Sequence, residues 1–177
     1  MKKIITGIAI AICAIVANAA SVQWDMDYSY TPGTTYYAEN YLVYFFDDGV
    51  TSRDAVVASI ASGNTTFVSS ALGTAQLTDS EGYASEMNVG NYGNGVDVTG
   101  YLVIFNADTL ANATQAYVTQ AETGTTTAIG GAAYLGFGDQ IGTQTAANWT
   151  TVAAPEPTSG LLLLLGVAGL ALKRKRA

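Results

Sequence analysis

Histidine is absent from this 177-residue chain, its single cysteine is Cys13, and its lysines lie only near the two ends. Without histidine, a Ser-His-Asp triad cannot form and zinc loses its usual nitrogen ligand. Without cysteine in the body of the chain, thiol nucleophiles and disulfides are excluded there. Because the same stretch has no lysine, a Schiff base and a P-loop are also excluded there. The remaining chemistry rests on carboxylates, hydroxyls, amides and eleven tyrosines.

Basic residues are scarce between the two ends. Residues 20–154 contain Arg53 alone against thirteen Asp and Glu, which gives a net charge of −12. Such a surface repels phosphate backbones and anionic membranes, so we expect no nucleic-acid partner. Without disulfides, this segment must be stabilised by core packing or by a bound ion. We predict one exported acidic domain over residues 20–154, and no residue pattern in it indicates a cofactor.

The N-terminus has the pattern of a signal peptide. Lys2 and Lys3 form a positive n-region, residues 4–16 an apolar h-region, and a small-residue cleavage site ends at Ala19. We expect cleavage after Ala19, with Ala20 as the next candidate. A retained N-terminal membrane helix is the alternative, which the short h-region disfavours.

The body of the chain has mainly the patterns of β-strands. Apolar and polar residues alternate over residues 22–30, which predicts a strand with one face on a core. Two short apolar runs, residues 41–46 and 101–105, predict buried strands. Weaker strand patterns cover residues 65–69, 74–78, 83–89, 132–137 and 148–152, and a glycine-rich loop covers residues 90–95.

Two short helices complete the predicted fold. The first begins at Thr51 or Ser52 and ends at Gly63. The second covers residues 112–122, where Asn112 and Gln115 have the spacing of a capping box. The predicted fold class is therefore mainly β, like a β-sandwich and dominated by strands, with these two helices on a face or an edge.

A sixty-residue offset relates two parts of the domain. The motif Tyr-Leu-Val-x-Phe occurs at residues 41–45 and again at residues 101–105. Matches continue downstream at the same offset, as with Ala61 and Ala121. This indicates an internal duplication in which each copy is a strand, a short helix and a Thr-rich strand. The alternative is two buried strands that share common core residues by chance.

Acidic pairs and aromatic residues are the candidates for chemistry in the domain. Asp25 and Asp27 lie on one face of the predicted first strand, roughly 7 Å apart, which suits a shared cation or the acid and base of a glycosidase. A solvated strand face is the plainer interpretation. Asp47 and Asp48 end a buried strand and precede Gly49, which is more typical of a turn. Exposed tyrosines would suit stacking on sugar rings, although aromatics in such domains are more often core.

The last 23 residues, 155–177, consist of three unlike segments. A Pro-Glu-Pro triplet is followed by an apolar run over residues 160–172, and the chain ends in a basic cluster. The triplet is Pro155, Glu156 and Pro157, and the cluster is Lys173, Arg174, Lys175 and Arg176. As a helix the run is about 20 Å long against a hydrocarbon core of about 30 Å, so it is a marginal transmembrane helix. The basic cluster should stay cytoplasmic. This physics leaves a temporary and a permanent anchor equally open.

These three segments together resemble the PEP-CTERM sorting signal of Gram-negative bacteria, which an exosortase recognises in the membrane. The resemblance implies that Pro155, Glu156 and Pro157 are the recognition motif. It also implies that residues 160–172 are the membrane span and residues 173–176 the cytoplasmic stop. It further implies export, transient anchoring in the inner membrane, sorting to the cell surface, and frequent association with extracellular polysaccharide.

From the sequence we expect a non-enzymatic exported protein of the cell surface or extracellular matrix, with a structural or adhesive role. The alternative is a carbohydrate-binding or carbohydrate-active domain that uses its acids and aromatic residues. A third class is an adhesion module stabilised by Ca²⁺. A cleft with two carboxylates about 5–9 Å apart beside exposed aromatics would favour the carbohydrate-active class.

Overall fold

The computed structural model describes residues 20–26, 40–77, 83–138, 140 and 148–152. The predicted signal peptide, Asp27 and the C-terminal tail lie outside these ranges. The helices whose bounds lie within these ranges are the α-helix α1 (Arg53–Ala61) and the 3₁₀-helices Thr66–Ser70 and Leu110–Asn112. Its strands are β1 (Ala20–Met26), β2 (Leu42–Asp47), β3 (Gly73–Gln76), β4 (Ala84–Tyr92), β5 (Asp97–Phe105), β6 (Gln115–Val118), β7 (Glu122–Thr125), β8 (Ala133–Gly136) and β9 (Thr150–Thr151).

The strands form two sheets. The smaller sheet has the order β4-β1-β8, in which β1 runs antiparallel to β4 and parallel to β8. The larger sheet has the order β3-β2-β5-β6-β9, and β7 pairs with the first half of β5. The prediction of a mainly β, strand-dominated domain is confirmed.

The two sheets face each other across the main hydrophobic core. On β1 the inward side chains Val22, Trp24 and Met26 are fully buried, and Gln23 and Asp25 on the other face are half-buried. The period of two predicted for this strand is therefore confirmed over its described part. Trp24 stacks on Phe45 of the opposite sheet, with ring centroids 6.2 Å apart and an interplanar angle of 12°. This contact joins the centres of the two sheets.

A second apolar layer covers the other face of the larger sheet. Helix α1 buries Val56 and Ile60 there, against a cluster that includes Phe46 and Tyr101. The rings of Phe46 and Tyr101 stack 5.5 Å apart. Strands β2 and β5 are therefore covered on both faces, which is why their sequences are continuous apolar runs and do not alternate. The prediction that residues 41–46 form a buried central strand is confirmed.

The predicted second helix is wrong. Residues 112–122 contain the end of a 3₁₀-helix, strand β6 and the first residue of β7. Val103, Ile104 and Phe105 of β5 pair with this segment, and β9 pairs with its other edge. Ala116 and Val118 face the helix layer, and Tyr117 faces the main core. Pairing with a buried neighbouring strand therefore outweighs the local capping pattern of the sequence.

The strand predicted at residues 65–69 is also wrong, because a 3₁₀-helix covers Thr66–Ser70. The side-chain carbonyl of Asn64 accepts hydrogen bonds from the backbone N–H and the hydroxyl of Thr66, at 2.9 and 2.8 Å. Gly63 just before it has a positive φ of 75°, which ends α1 as predicted. These local bonds favour a turn over an extended chain.

Both copies of the repeated motif form strands, but the segments that follow them differ in structure. The repeated strands β2 and β5 lie side by side and antiparallel, so that Phe46 pairs with Tyr101 and Leu42 with Phe105. At the same offset, however, α1 corresponds to residues 113–121, which contain strand β6. The predicted repeat of strand, helix and strand is therefore not formed. Two neighbouring strands that are buried on both faces require similar apolar residues whatever their origin.

The chain crosses between the sheets after β4. Asn88 and Gly90 have positive φ angles of 62° and 71°, and the pairing of β1 with β4 shifts register near them. Gly90 belongs to β4, and the turn of the predicted glycine-rich loop is confined to Asn94 and Gly95. The loop leads from β4 in one sheet to β5 in the other, so it is not a hairpin turn.

Among the helices of the described residues, none is long and apolar enough to span a membrane. The predicted span, residues 160–172, lies outside these residues.

Candidate functional site

The outer face of the smaller sheet presents aromatic and polar side chains to solvent. Because residues alternate along a strand, Asp25 of β1 and Tyr134 of β8 point away from the core. The parallel pairing of these strands places Asp25 beside Gly136, and the antiparallel pairing with β4 places Asp25 beside Ser85. Tyr134 is 56 % exposed and Tyr83, which precedes β4, is 42 % exposed. We call Tyr83, Ser85, Asp25 and Tyr134 the tyrosine face.

Tyr134 is held in place by a hydrogen bond and by a glycine. Its hydroxyl donates to Oδ2 of Asp25 at 2.6 Å. A Cβ atom at Gly136 would lie 3.3 Å from the ring and hydroxyl of Tyr134, so the ring occupies space that a side chain at residue 136 would need. The ring therefore leans along β8 towards Asp25. The absence of a side chain at Gly136 permits this position.

Tyr83 lies on the opposite side of Asp25. Its hydroxyl is 3.2 Å from Oγ of Ser85, and either group can be the donor. Met87, two residues further along β4, is 67 % exposed on the same face. The face thus presents two tyrosines with a carboxylate between them. Of the predicted acidic pair, the structure places Asp25 here, and Asp27 lies outside the described residues.

The second acidic pair, Asp47 and Asp48, supports a turn and a helix. Oδ1 of Asp47 accepts the backbone N–H of Gly49 at 2.8 Å. Oδ1 of Asp48 accepts the backbone N–H of Arg53, the first residue of α1, at 2.7 Å. Ser52 is the N-cap residue by position, but its side chain makes no capping hydrogen bond. The helix start was therefore predicted correctly, and its cap comes from a residue further upstream.

Arg53, the single base of residues 20–154, is also used within the fold. Its Nε donates to the backbone carbonyl of Thr119 at 2.5 Å, and its Nη1 lies 3.7 Å from Asp54. Thr119 is fully buried, and its hydroxyl accepts the backbone N–H of Leu102 at 2.9 Å. Arg53 thus joins α1 to the break between β6 and β7.

A half-buried carboxylate, Glu86, lies on the inward side of β4 and was not among the predicted site residues. A Cβ atom at Gly73 would collide with its Oε2, so the carboxylate fits against the bare backbone of β3. Burial raises the pKa of Glu86, and the backbone of Thr74 and the indole of Trp24 lower it in part. Oε2 and the Trp24 Nε1 are both buried and lack a partner in hydrogen-bonding geometry within the described part of the chain. The sequence signal was the order Ala-Ser-Glu-Met at residues 84–87. Because side chains alternate along a strand, Glu86 and not Met87 lies on the same face as the buried Ala84.

A groove of about 270 Å³ lies where the described chain ends. Its walls come from Gly63 and Thr65, which follow α1, and from the 3₁₀-helix Leu110–Asn112 with the two residues after it, and Val152 also lines it. The backbone N–H of Val152 donates to the carbonyl of Thr114 at 2.9 Å, so the chain is fixed to the domain at this residue. Pro155 follows three residues later.

Metal ligands are not clustered in the described ranges, where no group of three or more His, Cys, Asp or Glu side chains could hold an ion.

The last residues of the chain match a known family description. Residues 153–176 match the PEP-CTERM protein-sorting motif. The chain carries a PEP-CTERM tail. This motif marks a protein for export and for sorting of the exosortase type, as the resemblance of the tail implied. Comparisons with curated proteins and with solved structures find no match to the chain.

The matched stretch includes Pro155, Glu156 and Pro157 and the basic cluster at residues 173–176. All of these residues lie outside the described part of the chain. Their individual roles, the membrane span at residues 160–172 and signal cleavage at Ala19 or Ala20 stay predictions.

Proposed function

We propose that this protein is a non-enzymatic component of the cell surface or extracellular matrix, with a structural or adhesive role. In this proposal the signal peptide exports the chain and the PEP-CTERM tail holds it transiently at the inner membrane. An exosortase then processes the tail. The observation that carries the proposal is the PEP-CTERM motif directly after a folded strand-rich domain.

The short distance between domain and motif supports release of an intact domain. Val152 is hydrogen-bonded to the domain, and two residues separate it from Pro155. An extended chain reaches at most about 3.6 Å per residue, so the motif begins within about 11 Å of the folded domain. Processing at or beyond the motif would remove no strand of either sheet.

The use of the acidic residues supports a role without catalysis. Asp47 and Asp48 bind backbone N–H groups of a turn and a helix, and Glu86 lies against the backbone of β3. The net charge of −12 over residues 20–154 favours a well-hydrated protein that does not self-associate through its surface.

A second candidate function, carbohydrate binding, is favoured by the tyrosine face. Exposed aromatic rings beside a carboxylate are a common arrangement for contacts with sugar rings, because they offer an apolar surface and a hydrogen-bond acceptor together.

Replacing the central motif residue tests the sorting part of the proposal. In a host that contains an exosortase, the wild-type protein should leave the membrane fraction, and terminal mass spectrometry should show a product that lacks Ala177. The Glu156→Ala protein should stay in the membrane fraction with Ala177 in place. Asp54→Ala is the matched control, because that side chain is 95 % exposed and lies on α1. A wild-type surface protein that still ends in Ala177 would contradict the proposal.

The non-enzymatic part needs a separate measurement. The protein is incubated with neutral polysaccharides, and newly formed reducing ends are counted. We expect none above the buffer level. Reducing ends that accumulate with the wild-type protein and not with Asp25→Asn would show a glycosidase instead.

A further inference from the structure

We propose that the groove at Val152 binds the next segment of the same chain, residues 153–155, and so holds the start of the sorting motif against the folded domain. We call this groove, of about 270 Å³, the C-terminal groove. Residues 153–155 themselves lie outside the described part of the chain. The inference concerns how the domain holds its own tail, and it goes beyond the surface role proposed above.

The pairing of β9 with β6 directs the chain into the C-terminal groove. The two strands pair in antiparallel register. One residue beyond the last pair, the backbone N–H of Val152 donates to the carbonyl of Thr114 at 2.9 Å, which continues that register. Each further residue of an antiparallel pair lies opposite a partner one place earlier in the chain. The same path therefore brings residues 153–155 opposite residues 111–113, which line the groove.

The wall opposite the segment is fixed by the domain itself. The 3₁₀-helix Leu110–Asn112 precedes β6, so a regular strand partner ends where the groove begins. Oδ1 of Asn106 accepts the backbone N–H groups of Thr114 and Gln115, at 2.9 and 2.8 Å. The groove is thus formed without any contribution from the tail, and binding requires little rearrangement of the wall.

Residues 153–155 suit the C-terminal groove in size and polarity. They are two alanines and a proline, which offer small apolar side chains. Leu110 and Ala113 in the wall pack against the hydrophobic cluster that α1 covers, and Val152 belongs to that cluster. A volume of about 270 Å³ lies just below the range of small-molecule pockets, about 300–1,000 Å³, and suits a short segment of small residues. Pro155 has no N–H group, so its burial leaves no donor to satisfy.

The attachment of the segment favours it over any separate occupant. A tail that begins at the wall of the groove binds intramolecularly, and its effective concentration is that of a tethered ligand. The tail of a second copy would have to bring together two domains that each carry a net charge of −12. The occupant that fits best is therefore the chain's own tail.

Binding of residues 153–155 shortens the linker between the domain and the predicted membrane span. Seven residues, 153–159, separate Val152 from the start of that span, a reach of about 25 Å at full extension. With three of them bound, four remain, with a reach of about 14 Å. The Pro-Glu-Pro motif then begins at the surface of the domain, and the groove end of the domain faces the membrane.

The reactivity of a single thiol in the tail tests the inference on the full-length protein in detergent. Every variant carries Cys13→Ser, because Cys13 is the single natural cysteine. A thiol placed by Ala154→Cys should react with a maleimide about tenfold more slowly than one placed by Val50→Cys, because the bound segment is exposed only when it leaves the groove. Val50 is the reference, since it is 73 % exposed and does not line the groove.

A variant that fills the C-terminal groove identifies the source of the protection. Ala111→Trp places a large ring in the wall and should raise the reaction rate of the Ala154→Cys thiol towards that of Val50→Cys. Ala128→Trp is the matched control and should leave the rate unchanged, because Ala128 is exposed in the turn between β7 and β8. Thermal unfolding shows whether each variant is folded.

Three results would overturn the inference. The first is an Ala154→Cys thiol that reacts as fast as the Val50→Cys thiol. The second is protection that a folded Ala111→Trp protein retains in full, which would assign the protection to the detergent micelle around the tail. The third is protection that disappears on dilution, which would make the tail of a second copy the occupant. None of them changes the outcome expected for Glu156→Ala in the sorting experiment, so the two proposals fail separately.

Discussion

At the scale of single residues, the half-buried carboxylate of Glu86 makes the stability of the domain depend on pH. Burial makes its pKa higher in the folded protein than in the unfolded chain. The folded state therefore binds this proton more tightly. The stability from protonated Glu86 is fully present below the unfolded-state pKa of about 4.3 and is lost as the pH rises through the folded-state pKa.

Glu86→Gln should remove this pH dependence. Glutamine keeps the shape of the side chain and carries no charge at any pH, so the variant should melt at a higher temperature than wild type near pH 7. The difference should shrink towards pH 4, and melting curves across that range measure it. Asp54→Asn is the control, because that carboxylate is 95 % exposed. Equal pH profiles for wild type and Glu86→Gln would refute the prediction.

Asp25 and Tyr134 show which properties of a single residue can be predicted from the sequence and which cannot. The alternation along β1 correctly placed Asp25 on the outer face, because one strand and its period are enough for that conclusion. Its partner Tyr134 is 109 positions away in the chain, and the contact depends on the parallel pairing of β1 with β8. No local pattern indicates such a pairing.

At the scale of elements, α1 depends on a cap outside the helix. Asp48→Ala should lower the free energy of unfolding by about 1 kcal/mol, because the backbone N–H of Arg53 loses its acceptor and the carboxylate is lost from the helix N-terminus. Ser52→Ala is the matched control and should change stability much less, since its side chain makes no capping bond. Urea unfolding measures both. A larger loss for Ser52→Ala would contradict the role of Asp48.

The element that the sequence assigned wrongly, residues 112–122, illustrates the limit of local patterns. Asn112 and Gln115 have capping-box spacing, but β5 offers a buried edge that this segment pairs with. Thr119 extends the pairing beyond β6, since its N–H donates to the carbonyl of Leu102 at 3.0 Å. Buried backbone groups of β5 would otherwise lack partners, and that cost exceeds a weak helix preference.

At the scale of the whole molecule, repulsion among the many negative charges destabilises the folded state. The full chain has a formal net charge of −7, and residues 20–154 carry −12. Raising NaCl from about 10 mM to about 200 mM at neutral pH should raise the melting temperature, because salt screens repulsion among the carboxylates. The rise should become smaller towards pH 4, because about half of the carboxylates are then protonated and repel one another less. A melting temperature independent of salt at pH 7 would show that self-repulsion is negligible.

The sequence by itself determined the strand-rich class, the first helix, the two buried strands and the sorting tail. These depend on local information: a period of two, an apolar run, a terminating glycine, or a motif whose residues are adjacent in the chain. The tertiary structure alone decided that residues 115–118 form a strand, that Asp48 caps α1, that the Glu86 carboxylate is half-buried against β3, and that the Tyr134 hydroxyl contacts Asp25. Each of these depends on residues or elements that are distant in the chain and meet only on folding. The free energy of such a contact depends on both partners, so the local sequence of one of them does not predict it.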